Sequence, residues 1–293
     1  MSEPEFDVNK LFPGKFFIST TLDVLESKKK MTGHLRRRYI QRAAMAGIII
    51  AIFYVINYTI VGAFDSMGST PGQLHVVGKL IGALAFGWAL VFIYYSKSEL
   101  LTSTMMIVSI GAYYRRVTPV LVLRILGFCY LGNILGGLLI AALLRGTTLL
   151  NGSVMTAMQH SVTVKLGYLD HGFSGWLDLF IRAILCNFMI NLAMLLVYNG
   201  YLQEDIAKCL TMITAVFVFA FLDFEHSVAN TVLFMIVGLQ HGIDVGAALG
   251  NLGIVLLGNA VGGGVLIGFY YAWVNDERDR HLPRLRRRIS DGD

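Results

Sequence analysis

Long apolar runs alternate with short polar connectors along the chain. Six runs, at about 43–64, 77–113, 118–144, 177–199, 206–238 and 245–274, could each cross a bilayer core, which takes ~20 helical residues. The pattern predicts an all-α integral membrane protein with six transmembrane helices. The second and fifth runs are too long for one simple span. Each is interrupted by polar residues, "SKSELLTST" at 96–104 and "DFEHSVAN" at 223–230, so both are predicted to be broken helices.

The runs also repeat. "LGNILGGLLI" (131–140) matches "LGNAVGGGVLI" (257–267), and the pairs Gly132/Gly258, Asn133/Asn259 and Glu99/Glu225 share an offset of 126 residues. "RAAMAG" (42–47) matches "RAILCN" (182–187) at an offset of 140. Each half holds three spans, an odd number, so the halves insert with opposite orientation, as two inverted three-helix repeats. Irregular backbone inside a membrane survives only where protein or a water-filled cavity satisfies it. A shared pair of breaks therefore points to a pathway. Each break also gives a half-helix a free N-terminus, whose unpaired N–H groups and partial positive charge favour an anion.

Composition agrees with the pattern. Hydrophobic residues make up 55% of the chain and charged ones 15%, against roughly 25% charged in soluble domains, which excludes an ordinary soluble fold. The basic residues cluster at 28–42, before the first span, and at 277–288, after the last. Beside membrane spans such clusters read as cytoplasmic flanks rather than as a nucleic-acid surface. The outer loops hold only Arg145 and Lys165. The expected protein is a multi-pass protein of the cell membrane with both termini cytoplasmic. It divides into a basic N-terminal segment (1–42), a six-span domain (43–274) and a basic tail (275–293). "FPGKFFISTTLDVLES" (12–27) is expected to form an interfacial helix over the inner mouth. Cys129, Cys186 and Cys209 form no C-x-x-C pair and read as small core residues. The seven histidines are scattered without ligand spacing, so neither a metal nor a cofactor is called for. "GFSG" (172–175) has the form of a serine-protease motif, but the last span carries no histidine to act as base, and no enzyme activity is expected.

The polar residues of the breaks carry the candidate chemistry. Ser96, Ser98 and Asp223 are expected to cap the half-helices. Glu99 and Glu225 are expected to support backbone N–H groups there. His226 is placed on the pathway, because imidazole, with an ordinary pKa of about 6.5, can exchange a proton with a passing weak acid. An anion is costly in an apolar constriction, whereas its neutral acid is not. Gly132/Gly136 and Gly258/Gly262 have the G-x-x-x-G spacing that brings helices together. Asn133 and Asn259 are candidates to hydrogen-bond the broken segments, a role the sequence leaves open.

Four ordered stretches, "SELLTSTMMIV", "RAILCNFMINLAM", "FEHSVAN" and "GNAVGGGVLIG", resemble the motifs of the formate/nitrite transporter family, and the likeness runs from about residue 40 to 274. The resemblance implies an aquaporin-like fold in a homopentamer with a pore in each protomer. It implies passage of small monovalent anions (formate, nitrite, acetate, lactate or hydrosulfide), often with a proton. His226 would be the central pore histidine, with Thr102 near it. Phe86, Leu90, Leu100 and Phe219 would form two apolar constrictions. Glu225, Glu99, Asn187 and Asn259 would make the supporting polar network, and Lys165 would attract anions into the vestibule. Two positions depart from the family pattern. Leu101 stands where a Phe is usual, and Lys97 where a small residue is usual, so Lys97 either pairs with an acid or alters the field on the anion. The nearest rival is an aquaporin-like channel for neutral solutes. Against it, neither break carries Asn-Pro-Ala and both carry acids.

Overall fold

The computed structural model describes residues 12–67, 70 and 72–276. The basic tail beyond 276 lies outside these residues. Among the described residues every regular element is helical. α1 (Lys15–His34) leads into α2 (Arg36–Asp65), the first span. The second span is α3 (His75–Tyr95) and α4 (Leu101–Tyr113), followed by α5 (Pro119–Leu144) as the third. A connecting helix, α6 (Ser153–Gly167), precedes α7 (Gly172–Tyr198), the fourth span. The broken fifth span is α8 (Asp205–Phe221) with α9 (Ser227–His241). The sixth starts as α10 (Val245–Asn259), continues as a π-helical stretch (Ala260–Phe269) and ends as α11 (Tyr270–Val274).

Both breaks fall at the predicted places, and their backbones match. Lys97 and Asp223, again 126 residues apart, both adopt a left-handed conformation (φ 55° and 53°) rarely taken by residues with a side chain. The chain then extends at Leu100 and at His226 before the half-helices α4 and α9 begin. The expected caps are not the ones used. No side chain caps α4 at Leu100, and His226 itself caps α9, its Nδ1 accepting from the Ala229 N–H at 3.1 Å. Ser96 Oγ turns back to the Ile93 carbonyl and to Ser98, and Asp223 reaches out to Lys79 at 2.5 Å. The left-handed turn aims these short side chains away from the half-helix they precede.

The glycines act as their spacing predicts. A Cβ on Gly136 would collide with the Ala44 carbonyl, and one on Gly262 with the Ile184 carbonyl. α5 therefore lies directly on α2, and the π-helical stretch directly on α7. Large apolar side chains such as Trp88, Leu123, Leu139 and Leu257 stay exposed on the outer surface, as for a protein surrounded by lipid or by copies of itself.

α1 packs into the bundle, with Phe17 and Leu25 fully buried and Phe17 edge-on to Tyr271 at 6.1 Å. Its buried Lys28 reaches the first break, which no feature of the sequence had indicated. α6 was also unforeseen, since its mixed polar composition resembles a loop.

Candidate functional site

The two breaks meet near the middle of the bundle, and each is tied down by an asparagine from the following span. At the first, Asn133 accepts from the Leu101 N–H at 3.1 Å and donates to the carbonyls of Glu99 and Ala43, both at 2.8 Å. At the second, Asn259 accepts from the Ser227 N–H at 2.9 Å and donates to Glu225 at 2.9 Å and Ala183 at 2.8 Å. The role left open for these residues, bonding to the broken segments, is the one found. The backbone adds matching contacts, Glu99 N–H to the Arg42 carbonyl and Glu225 N–H to the Arg182 carbonyl. The two guanidiniums also donate across the turns, Arg42 to the Lys97 carbonyl at 2.6 Å and Arg182 to the Asp223 carbonyl at 3.2 Å.

The acidic side chains do not hold backbone N–H groups, which corrects the role expected for Glu99 and Glu225. Each is buried in an ion pair instead. Glu99 meets Lys28, with Arg42 at 3.3 Å on its other oxygen. Both oxygens of Glu225 accept from Lys165, at 2.9 and 2.8 Å, and one also accepts from Asn230 at 2.6 Å. Lys97 reaches no carboxylate among the described residues. Its ammonium lies over the Tyr94 ring, 4.8 Å from the centroid, so pairing with an acid is not the role found.

His226 is where the two halves touch. Its Nε2 lies 3.1 Å from Thr102 Oγ1 on α4. Its Nδ1 is already committed to the Ala229 N–H, which can only donate. Nδ1 must therefore be the unprotonated nitrogen, and the neutral ring carries its proton on Nε2, facing Thr102. The Phe219 ring stacks on the imidazole at 5.8 Å and 22°, and Phe86 stands edge-on to Phe219 at 6.1 Å.

These side chains enclose a chamber of about 20 Å³, lined by Phe86 and Phe219, Leu90 and Leu100, and His226. The structure thus gathers all four expected constriction residues and the histidine around one small space. Thr102 lies against that histidine. A cavity of about 900 Å³ opens on the side remote from α1 and descends to Phe86, Phe219 and Glu225. Lys165 lines it, as expected for a vestibule residue, but as the partner of Glu225 rather than as a free cation.

Behind Thr102 lies an amide pair of which only one member was expected. Asn187 donates to the Asn259 carbonyl at 2.6 Å and to the Thr102 carbonyl at 3.2 Å. Asn191, one turn later and fully buried, donates to Asn187 Oδ1 at 2.7 Å and to the Thr102 carbonyl at 3.3 Å. The i,i+4 spacing from Asn187 was the available signal for it. Among the described residues no cluster of side chains is suited to holding a metal ion.

The family model described as formate/nitrite transporter matches residues 19–273. The chain is 31% identical to the formate channel FocA of Escherichia coli (strain K12), over 82% of this chain and 87% of that protein. It is 28% identical to the nitrite transporter NirC of Salmonella typhimurium (strain LT2), over 82% and 84%. Among solved structures, an FNT family ion channel superposes with a TM-score of 0.75 at 24% identity, covering 89% of this chain and 99% of that one. A pentameric formate channel with formate bound superposes with a TM-score of 0.65 at 22% identity, covering 82% and 97%.

Proposed function

The chain belongs to the formate/nitrite transporter family, and we propose that it conducts small monovalent anions of weak acids, formate and nitrite foremost, across the cell membrane. The carrying observation is the His226–Thr102 pair at 3.1 Å, set in a chamber whose other named walls are the apolar Phe86, Phe219, Leu90 and Leu100. A bare anion loses its hydration in such a chamber at a large cost, and the neutral acid does not. In this reading the anion gathers in the wide vestibule, acquires a proton there, and crosses the constrictions as its acid. His226 offers its Nε2–H to the acid's oxygen. Thr102 holds the ring in place between passages.

The flanking elements serve this path. The pairs Lys28–Glu99 and Lys165–Glu225 fix the breaks with no net charge added. Asn187 and Asn259 keep the two half-helices in register. Both termini lie on the cytoplasmic side, so the large cavity faces outward. The assembly is a homopentamer, in keeping with the pentameric formate channel it resembles; each protomer carries its own pore, and the exposed apolar belt supplies the contacts between protomers.

The test is uptake of formate, nitrite, lactate and hydrosulfide into proteoliposomes across pH, for the natural chain and for His226→Asn. Uptake that rises with acidity and is altered in the variant supports the reading. Identical uptake and pH dependence in the variant would remove His226 from the mechanism. Water or glycerol flux without anion flux would instead favour the neutral-solute channel.

A further inference from the structure

We propose that Ile50 and Ile190 set the width of the central chamber and restrict it to the smallest weak-acid anions, formate and nitrite, against acetate and lactate. This rests on the anion-conducting reading above and narrows its substrate. Both residues line the chamber, and both are buried, at 3% and 2% exposure. They are equivalent in the repeat, at the same offset of 140 residues that relates Arg42 to Arg182. One comes from the first span of each half, α2 and α7, the longest described helices at 30 and 27 residues.

The available space is small. The chamber leaves about 20 Å³ in which the centre of a water-sized sphere can move. The residues around it differ in their freedom to yield. Leu90, Leu100, Phe86 and Phe219 are unbranched at Cβ, Leu100 lies in the break itself and Phe219 two residues before the end of α8. Rotation of these side chains lengthens the path. Four β-branched residues line the chamber, each with one strongly preferred χ1 rotamer in a helix; Ile93 and Val216 lie on the broken spans, whereas Ile50 and Ile190 lie on continuous helices. The residue three positions before each is held as well. Gly47 is pressed against the carbonyl of Asn133 so closely that a Cβ would collide with it. Asn187 is hydrogen-bonded to both the Asn259 and Thr102 carbonyls. The ends of the chamber can yield while its width stays fixed. Formate and nitrite are bent anions with one central atom. Acetate adds a methyl group, and lactate a branched, hydroxylated carbon, each of which must fit within the walls the two isoleucines help to form. A methylene too many in an apolar site costs roughly 10–200-fold in discrimination.

The experiment measures initial uptake of labelled formate, acetate and lactate at one pH. It uses proteoliposomes carrying the natural chain, Ile50→Val, Ile190→Val or the double variant. The formate-to-lactate ratio within each preparation is the readout, because it does not depend on how much protein was incorporated. Each substitution removes one methylene's worth of side chain, and size-exclusion chromatography with thermal melting confirms assembly. The natural chain should favour formate over acetate by about tenfold and over lactate by more. Either Val variant should lower the ratio several-fold, and the double variant further. Lactate carried as fast as formate by the natural chain, or a ratio unmoved by the variants, overturns the proposal. Absence of any formate or nitrite uptake overturns the anion-conducting reading itself, a result distinct from loss of selectivity.

Discussion

Asn133 and Asn259 make the same three hydrogen bonds at opposite breaks: one backbone N–H accepted, two carbonyls donated to. Each amide satisfies backbone groups that the membrane leaves without water. Asn133→Leu should strand all three groups, each worth about 1–3 kcal/mol when buried unpaired. Asn133→Asp keeps the acceptor and loses both donors. Thermal unfolding of the purified protein in detergent should rank the natural chain above Asp and Asp above Leu, with the same order at Asn259.

The two buried ion pairs are unequal in support. Glu99 keeps Arg42 at 3.3 Å if Lys28 is removed, whereas the only cation paired with Glu225 among the described residues is Lys165. Removing one partner of a buried pair typically costs about 3–5 kcal/mol. Lys165→Met should therefore lower the melting temperature more than Lys28→Met. The double variant Lys165→Met with Glu225→Gln should regain much of the loss, which a double-mutant cycle measures directly. Equal losses for the two lysine variants would contradict the asymmetry.

His226 holds two positions at once, cap and chamber residue, and substitutions can separate them. Asn is a good N-cap, while Phe keeps the ring bulk beside Phe219 but accepts nothing. His226→Phe should lose about 1 kcal/mol of stability relative to His226→Asn, seen as a lower melting temperature. Both should lose the natural pH dependence of formate uptake.

Thr102→Val retains shape and removes the hydroxyl 3.1 Å from Nε2. The melting temperature should stay near that of the natural protein, because the change deletes one side-chain hydrogen bond of about 1 kcal/mol. Formate uptake should fall severalfold, since the imidazole loses the group that orients it. A variant with full uptake would place Thr102 outside the path.

The sequence carried much of this arrangement because the membrane leaves few ways to be polar. Acids, histidine and asparagine inside apolar runs stood out at once, and the offset of 126 residues paired them correctly. What escaped was tertiary. Capping preferences pointed to Ser96, Ser98 and Asp223. The half-helix N–H groups were instead taken by Asn133, Asn259 and His226, two of them from spans remote in sequence. Lys28 sits in a run of three lysines that reads as a solvated flank. Only the docking of α1 separates it from its neighbours, leaving it buried while Lys29 stays partly exposed. Asn191 was hidden by its place inside an apolar helix, where its i,i+4 spacing from Asn187 was the one local cue.

The cap on α9 has a consequence for what else can cross. A histidine that hands protons along a chain takes one on a nitrogen and releases another from the opposite nitrogen. Here the Nδ1 side is closed by the Ala229 N–H, and only Nε2 faces the chamber. A hydronium arriving alone has no exit through the ring. In the conducting reading proposed above, the site would accompany a proton that travels on a weak acid and still insulate the cell's proton gradient against leak.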